Sequence, residues 1–526
     1  MSDFDLFRRL CCVFTGLLIA TPSRADPVLP AIIGDNMVLQ AGQPVPIWGR
    51  AQPGGKVRVS FGDKTVAGIA DAKGEWSVEL PALEASAVGA TLTVVGNTTI
   101  ELRNVLVGEV WLCSGQSNMA WTVEDADRAQ EEIAAAHHPT IRLFTAPRAV
   151  ATDGPRWGGE GRWVECAPET VGDFSAVGYF FGRDLQAAIG RPVGLIHSSW
   201  GGTKAKVWLP QTALDARPEL AVINEAWEKE LADFPRAKAE FDAAWPELQA
   251  DWERRAERAR AAGQAPPAEP RLRTGPETQY VPSALYNAMI APLAPFGLRG
   301  FVWYQGESDV GAPLLYQETL YALLASWREA WRLPEAPFVC VQLPNIDRQP
   351  EPSRSGWAEL RESQLRLLEE PATAVVVTID IGDPGNIHPT NKQPVGRRVA
   401  RAAEVLAYGA DAARGLSAVP RETRREGREL VVTFDHVAGA LRTRGGGAPR
   451  GWVVAGANRI FVPATVTLHG DEVRVSSPAV EAPVAVRYAW ADNPPANLED
   501  EAGLPVAPFR TDRWATLAIA AHEALR

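Results

Sequence analysis

"NVLVGEVWLCSGQSNMAW", residues 104–121, passes from an apolar run into small and polar residues within a few positions. A short apolar run closed by Ser114 and Gly115 reads as a buried strand rather than a helix. Ser117 follows it at once, between Gln116 and Asn118. The same arrangement recurs three times. "PVGLIHSSW" (192–200) leads to Gly201-Gly202-Thr203, "GLRGFVWY" (297–304) to Gln305-Gly306-Glu307-Ser308, and "AVVVTIDIGD" (374–383) to His388-Pro389. Helical stretches separate these runs, so the pattern predicts βαβ units and a mostly parallel sheet. The carboxyl ends of parallel strands share one edge, where residues remote in sequence converge.

Outward from this body, two strand-rich regions flank it. Residues 26–104 carry alternating segments such as "KVRVSFG" and "WSVEL" between turns such as "QPGGK" and "DAKGE". That is the pattern of an antiparallel β module. Strands return over 410–526 in "ELVVTF", "ATVTLHG" and "EVRVSS". The α/β body is therefore expected at 105–409, with a helical insertion at about 211–266. Pro235 and Pro246 are expected to divide that insertion into two or three helices. Its Trp227, Trp245 and Trp252 read as a packing face, in preference to a sugar site. "AGQAPPAEPRLRTGPE" then reads as an exposed linker.

The first 25 residues stand apart. Arg8 and Arg9 precede the apolar run "LCCVFTGLLIA", and Ser23-Arg24-Ala25 ends it with small residues at the cleavage positions. This predicts a cleaved signal and export to the periplasm or beyond. The run is too short to span a bilayer, which needs about 20 residues. Cleavage leaves Cys113, Cys166 and Cys340, whose spacing fits neither a zinc site nor a disulfide framework. The formal charge of −11 argues against nucleic acid as a partner.

A serine nucleophile needs a base for its proton and donors for the oxyanion. His388 is the candidate base, with Thr390 and Gln393 spaced as a capping box for the helix that follows. Backbone N–H groups at Ser117 and at Gly201-Gly202, with the Gln305 amide, are the candidate donors. The remaining histidines show no metal-ligand spacing. "SGQSNM" also lacks the G-x-S-x-G elbow of lipases and many peptidases.

"GEVWLCSGQSNMAW", "GLIHSSWGGTKAKVW", "SALYNAMIAPL", "GFVWYQGESD" and "GDPGNIHPTNKQPVGRRVA", in this order, resemble the motifs of the sialate O-acetylesterase family of carbohydrate esterases, within the SGNH hydrolase superfamily. "IIGDNMVLQAGQPVPIWG" and "VRYAWADNPPANLED" extend the resemblance over almost the whole mature chain. It implies a flavodoxin-like three-layer α/β/α hydrolase domain with β-sandwich modules, acting on O-acetyl esters of sugars without metal or cofactor. The nucleophile falls on Ser117, the base on His388, the glycine donor on Gly201 or Gly202, and the side-chain donor on Gln305. Asn118, Asn287, Glu307 and Asp309 lie in family motifs and are expected to shape the substrate pocket.

The chain departs from the pattern twice. Gly385 stands where many relatives carry the acid three residues before the histidine, which leaves Asp383 as first choice, Asp380 as second, and a backbone carbonyl as a third way to orient the ring. Lys206 stands where relatives often have an acidic residue. Sialic acid, xylan or xyloglucan, and pectin all remain open as acetyl carriers. A non-catalytic carbohydrate-binding protein is the alternative of another class, and acetate release from a simple ester separates the two.

Overall fold

The computed structural model describes residues 26–264, 266–272, 275–348 and 355–516. The expected signal segment lies outside the described residues. Among them no helix is long and apolar enough to cross a membrane.

The strand containing the opening stretch runs unbroken from Thr99 to Gly115 and organises two sheets at once. Its first half pairs antiparallel with Ser86–Val95, for example Val94 with Ile100. Its second half pairs parallel with Val193–Ser199 on one side and Gly300–Tyr304 on the other. One strand therefore crosses the position 104/105 where a change of module was expected. At the crossing Glu109 is fully buried. It accepts hydrogen bonds from Arg299 at 2.7 Å, Gln40 at 3.0 Å and Arg191 at 3.1 Å. A buried carboxylate is tolerated only when its oxygens are satisfied in this way.

The central sheet has the order Thr373–Val376, Phe338–Val341, Gly300–Tyr304, Thr99–Gly115, Val193–Ser199, His138–Thr145, Trp163–Cys166. Only the last pair is antiparallel, so the sheet is mixed. Alternate residues of each strand enter opposite cores. Trp111, Cys113, Val302 and Tyr304 pack with the helices Ala176–Ile189 and Gln393–Tyr408. Leu112, Phe301 and Trp303 pack on the other face with the helix Pro313–Trp331. Cys113, Cys166 and Cys340 are buried and unpaired with one another.

The C-terminal region builds two four-stranded antiparallel sheets around its own core, which includes Leu430, Val432, Trp452, Val473 and Tyr488. The insertion differs from expectation. It is one helix, Ala221–Ala261, with Pro235 and Pro246 inside it. Each proline removes one backbone bond. Around Pro235, Arg236 pairs with both Asp233 and Glu240, at 2.8 Å each, and Lys238 pairs with Asp242. Pairs at this spacing support the turns on both sides of the break. Only Ile223 and Ala256 of this helix are buried. Its tryptophans pack locally, Trp245 against Phe241 and Trp252 through a hydrogen bond to the Pro267 carbonyl.

Candidate active site

Chain order moves from the Thr99–Gly115 strand to one side of the sheet and then, at Gly300–Tyr304, to the other. The carboxyl end of Thr99–Gly115 therefore opens at a point where strand order reverses, the usual place for a site in such a sheet. Gly115 is obligatory there. A Cβ on it would lie 2.1 Å from the Tyr304 carbonyl oxygen. Gln116 then clamps the neighbouring loop: its N–H donates to Tyr304 O at 3.0 Å, and its Oε1 accepts from Ser308 N at 3.3 Å. Ser117 opens a single helical turn, Ser117–Ala120, and is partly exposed.

Ser117 Oγ lies 2.8 Å from His388 Nε2. The imidazole stacks on Trp121, with centroids 5.3 Å apart and planes at 26°. Burial and the nearby Lys392 cation both hold its pKa below the ordinary imidazole value. At neutral pH the ring is thus unprotonated, as a base must be.

Gly201 is the glycine beside Ser117. A Cβ there would stand 3.2 Å from Ser117 Cβ, a tight contact, so glycine lets the backbone lie close against Ser117. Gly202 instead takes the left-handed conformation of the turn, φ +74°. The N–H groups of Ser117 and Gly201 have no backbone acceptor among the described residues.

Other sequence expectations are corrected by geometry. Gln305 does not offer a free amide hydrogen: Nε2 donates to Asp309 Oδ2 at 2.6 Å and to Thr203 O at 3.2 Å. The reverse orientation would set oxygen against both acceptors, so Gln305 braces the loop from behind. Asp309 in turn accepts from Ala205 N at 3.0 Å. Burial raises its pKa against these bonds. Asn287 donates to the Ala151 carbonyl and is buried. Asn118 is fully buried and bonded to Glu307, Lys392 and the Ile387 carbonyl. Asn118, with both its amide atoms engaged, is not free to meet a substrate.

No carboxylate among the described residues hydrogen-bonds to the His388 ring. Asp383 is exposed and accepts from Gly385 N at 2.8 Å, closing its own turn. Asp380 is held by Arg398 at 2.6 and 2.7 Å and by Arg444 at 3.0 Å, which ties the sheet to the C-terminal module. The predicted capping box is absent as well. Thr390 Oγ1 and Gln393 Nε2 both turn to Asp127, on its carboxylate and its carbonyl, and so pin the His388 loop to the segment after the nucleophile.

His197, expected at the surface or packed, is buried, its Nε2 2.6 Å from Ser199 Oγ; burial lowers its pKa to about 4. Trp121 and Lys392 were missed individually. Both lie inside stretches that carried the family resemblance, "GQSNMAW" and "HPTNKQPVGRR". Asp127 has no local signal at all.

A cavity of about 370 Å³ adjoins Gly202, lined by Lys204, Lys206, Val207, Glu230, Tyr280 and Ser308. Glu230 comes from the inserted helix. A larger cavity of about 830 Å³, lined by Arg401, Glu404, Asp411 and Glu501 among others, contains none of the residues around Ser117. No group of three His, Cys, Asp or Glu among the described residues has metal-ligand placement.

A family model described as carbohydrate esterase, sialic acid-specific acetylesterase, matches residues 274–404, the segment that carries Gln305, Glu307, Asp309 and His388. It sets the class as carbohydrate esterase. Rat sialate O-acetylesterase is 30% identical over 450 residues, covering 75% of this chain and 76% of that protein. The human sialate O-acetylesterase is 29% identical over 423 residues, covering 72% and 70%. The crystal structure of a carbohydrate acetylesterase from Xanthomonas citri superposes with a TM-score of 0.77 at 37% identity, over 93% of this chain and 100% of that one. The chain belongs to the sialate O-acetylesterase family and is a carbohydrate O-acetylesterase.

Proposed function

We propose that the chain is an exported serine esterase of the SGNH type that hydrolyses O-acetyl esters of glycans through a Ser117–His388 pair. The 2.8 Å contact between Ser117 Oγ and His388 Nε2 carries this reading. In the first step His388 Nε2 takes the Ser117 proton as Oγ attacks the acetyl carbonyl carbon. The developing oxyanion is received by the N–H groups of Ser117 and Gly201, which have no backbone acceptor among the described residues. The C–O bond to the sugar then breaks and His388 returns the proton to the departing sugar oxygen. Water, deprotonated by the same nitrogen, attacks the acetyl-serine and releases acetate.

The sugar lies in the cavity beside Gly202, where Tyr280 offers an apolar face and Lys204, Lys206, Glu230 and Ser308 offer polar contacts. Burial beside Lys204 lowers the Lys206 pKa. Sialic acids, hemicellulose and pectin are the glycans to compare, and a panel of their acetylated forms, with liberated acetate measured, tests the proposal. Wild type releases acetate from at least one of them, and Ser117→Ala releases none above background. A folded Ser117→Ala enzyme working at near wild-type rate would overturn the mechanism.

A further inference from the structure

Among the described residues no carboxylate hydrogen-bonds to the His388 ring, yet its nitrogen meets Ser117 in register. Three loops must be fixed together for that: the nucleophile turn, the loop after Gly300–Tyr304, and the long loop carrying His388. Asn118, immediately after Ser117 and so part of the first, bonds to the other two. Its Nδ2 donates to Glu307 Oε1 at 2.5 Å and to the Ile387 carbonyl, next to His388, at 3.0 Å. Its Oδ1 accepts from Lys392 Nζ at 2.5 Å.

We propose that Asn118, gripped between Glu307 and Lys392, is the positioning residue that registers His388 on Ser117. The proposal rests on reading Ser117 and His388 as the reacting pair. Asn118 acts through the main chain: it holds the Ile387 carbonyl, while Trp121 stacks on one face of the imidazole. Lys392 contributes a second, separable effect. Its ammonium is buried, 5.6 Å from the centroid of the Tyr304 ring and 5.9 Å from that of Trp121. A cation beside the imidazole disfavours the imidazolium, so His388 stays a free base to lower pH.

Burying a lysine and a glutamate is expensive, and one Glu307 oxygen has no hydrogen-bond partner among the described residues. Burial holds Lys392 down to about 7 against the pull of Glu307, and raises Glu307. A site that only needed filling would be occupied by apolar side chains at lower expense. The titratable groups around His388 are Lys392, Glu307 and Tyr304 on neighbouring elements, Asp127 across the Thr390 contact, and Asp380 and Asp383 on its own loop. Of these only Lys392 shifts His388 besides burial.

The test uses the full-length enzyme and a small chromogenic acetate ester, so that it does not depend on which glycan is natural. Asn118→Ala lowers kcat by about 100-fold with KM changed less than twofold, the signature of a misplaced base rather than lost binding. Asn118→Asp keeps the acceptor for Lys392 but loses both donors; it serves if the alanine variant does not fold, and it too loses kcat at constant KM. Lys392→Met moves the acid limb of kcat/KM to higher pH, which a purely structural lysine would not do. Wild-type kcat in whichever Asn118 variant folds overturns the proposal while an inactive Ser117→Ala leaves the reacting pair standing; an unmoved acid limb in Lys392→Met overturns the separate Lys392 effect. An active Ser117→Ala overturns the reacting pair itself.

Discussion

Ser117 and His388 meet at one point but are held there in different ways. Ser117 inherits its place from the sheet: the Thr99–Gly115 strand ends at a glycine pressed on Tyr304, and Gln116 bonds the adjacent loop. His388 lies far along a loop beyond Thr373–Val376, at the edge of the sheet; beside the local bond of its N–H to Asn386 Oδ1, side chains remote in sequence hold the loop. Asn118 holds Ile387, and Asp127 holds Thr390 and Gln393. Ser117 is placed by secondary structure and His388 by tertiary contacts. Substitutions near Ser117 should therefore act on chemistry, whereas those around His388 should act through loop position.

The largest effect tests the nucleophile side. Ser117→Ala should lower turnover by ~10⁴-fold or more with an unchanged circular dichroism spectrum, since the sheet and not the hydroxyl holds the turn. The wild-type pH profile checks the base in the same assay. His388 is depressed below the ordinary value of about 6.5. Activity is then retained as pH falls through that value and is lost only at lower pH, where the imidazole takes up a proton. A limb at or above 6.5 would mean that another group carries the proton.

The next effect tests the base side. Asp127→Ala removes the acceptor of the Thr390 hydroxyl and leaves the backbone contacts of the loop in place. One hydrogen bond is worth about 1 kcal/mol net, so kcat should fall roughly fivefold with KM unchanged. Loss of binding with full turnover would show that this part of the loop serves the substrate rather than His388. Asp380→Ala should act on stability before chemistry. Removing a buried carboxylate leaves the Arg398 and Arg444 cations facing each other, at about 3–5 kcal/mol, visible as a lower Tm with kcat little altered.

The same contrast explains what could be read in the sequence. Strand ends, their convergence on one sheet edge, and the approach of Ser117, Gly201 and His388 follow from local apolar runs and from the family motifs. Those signals are short in range. The loop of His388 is held by Asn118, Lys392 and Asp127, brought together only by folding, so the family pattern pointed to Asp383 and local spacing to a capping box. The Gln305 amide followed the same rule: its type suits an oxyanion donor, but Asp309, four residues on, takes the hydrogen. The unbroken Ala221–Ala261 helix was illegible because proline statistics do not count the ion pairs that bracket Pro235.

The smallest effect is the sharpest test of the comparison. If a carboxylate on its own loop oriented His388, Asp383→Asn would depress turnover strongly, because an amide can favour the wrong tautomer and cannot stabilise an imidazolium. Asp383 instead faces solvent and accepts from Gly385 N, a bond that an asparagine oxygen can also accept. Turnover of Asp383→Asn should therefore stay within about twofold of wild type, at the low end expected for an exposed polar substitution. The measurement is kcat and KM on the chromogenic acetate ester across pH. A loss of 100-fold or more, with KM preserved, would mean that the loop rearranges on substrate binding to bring Asp383 onto His388, and would return the base to local control.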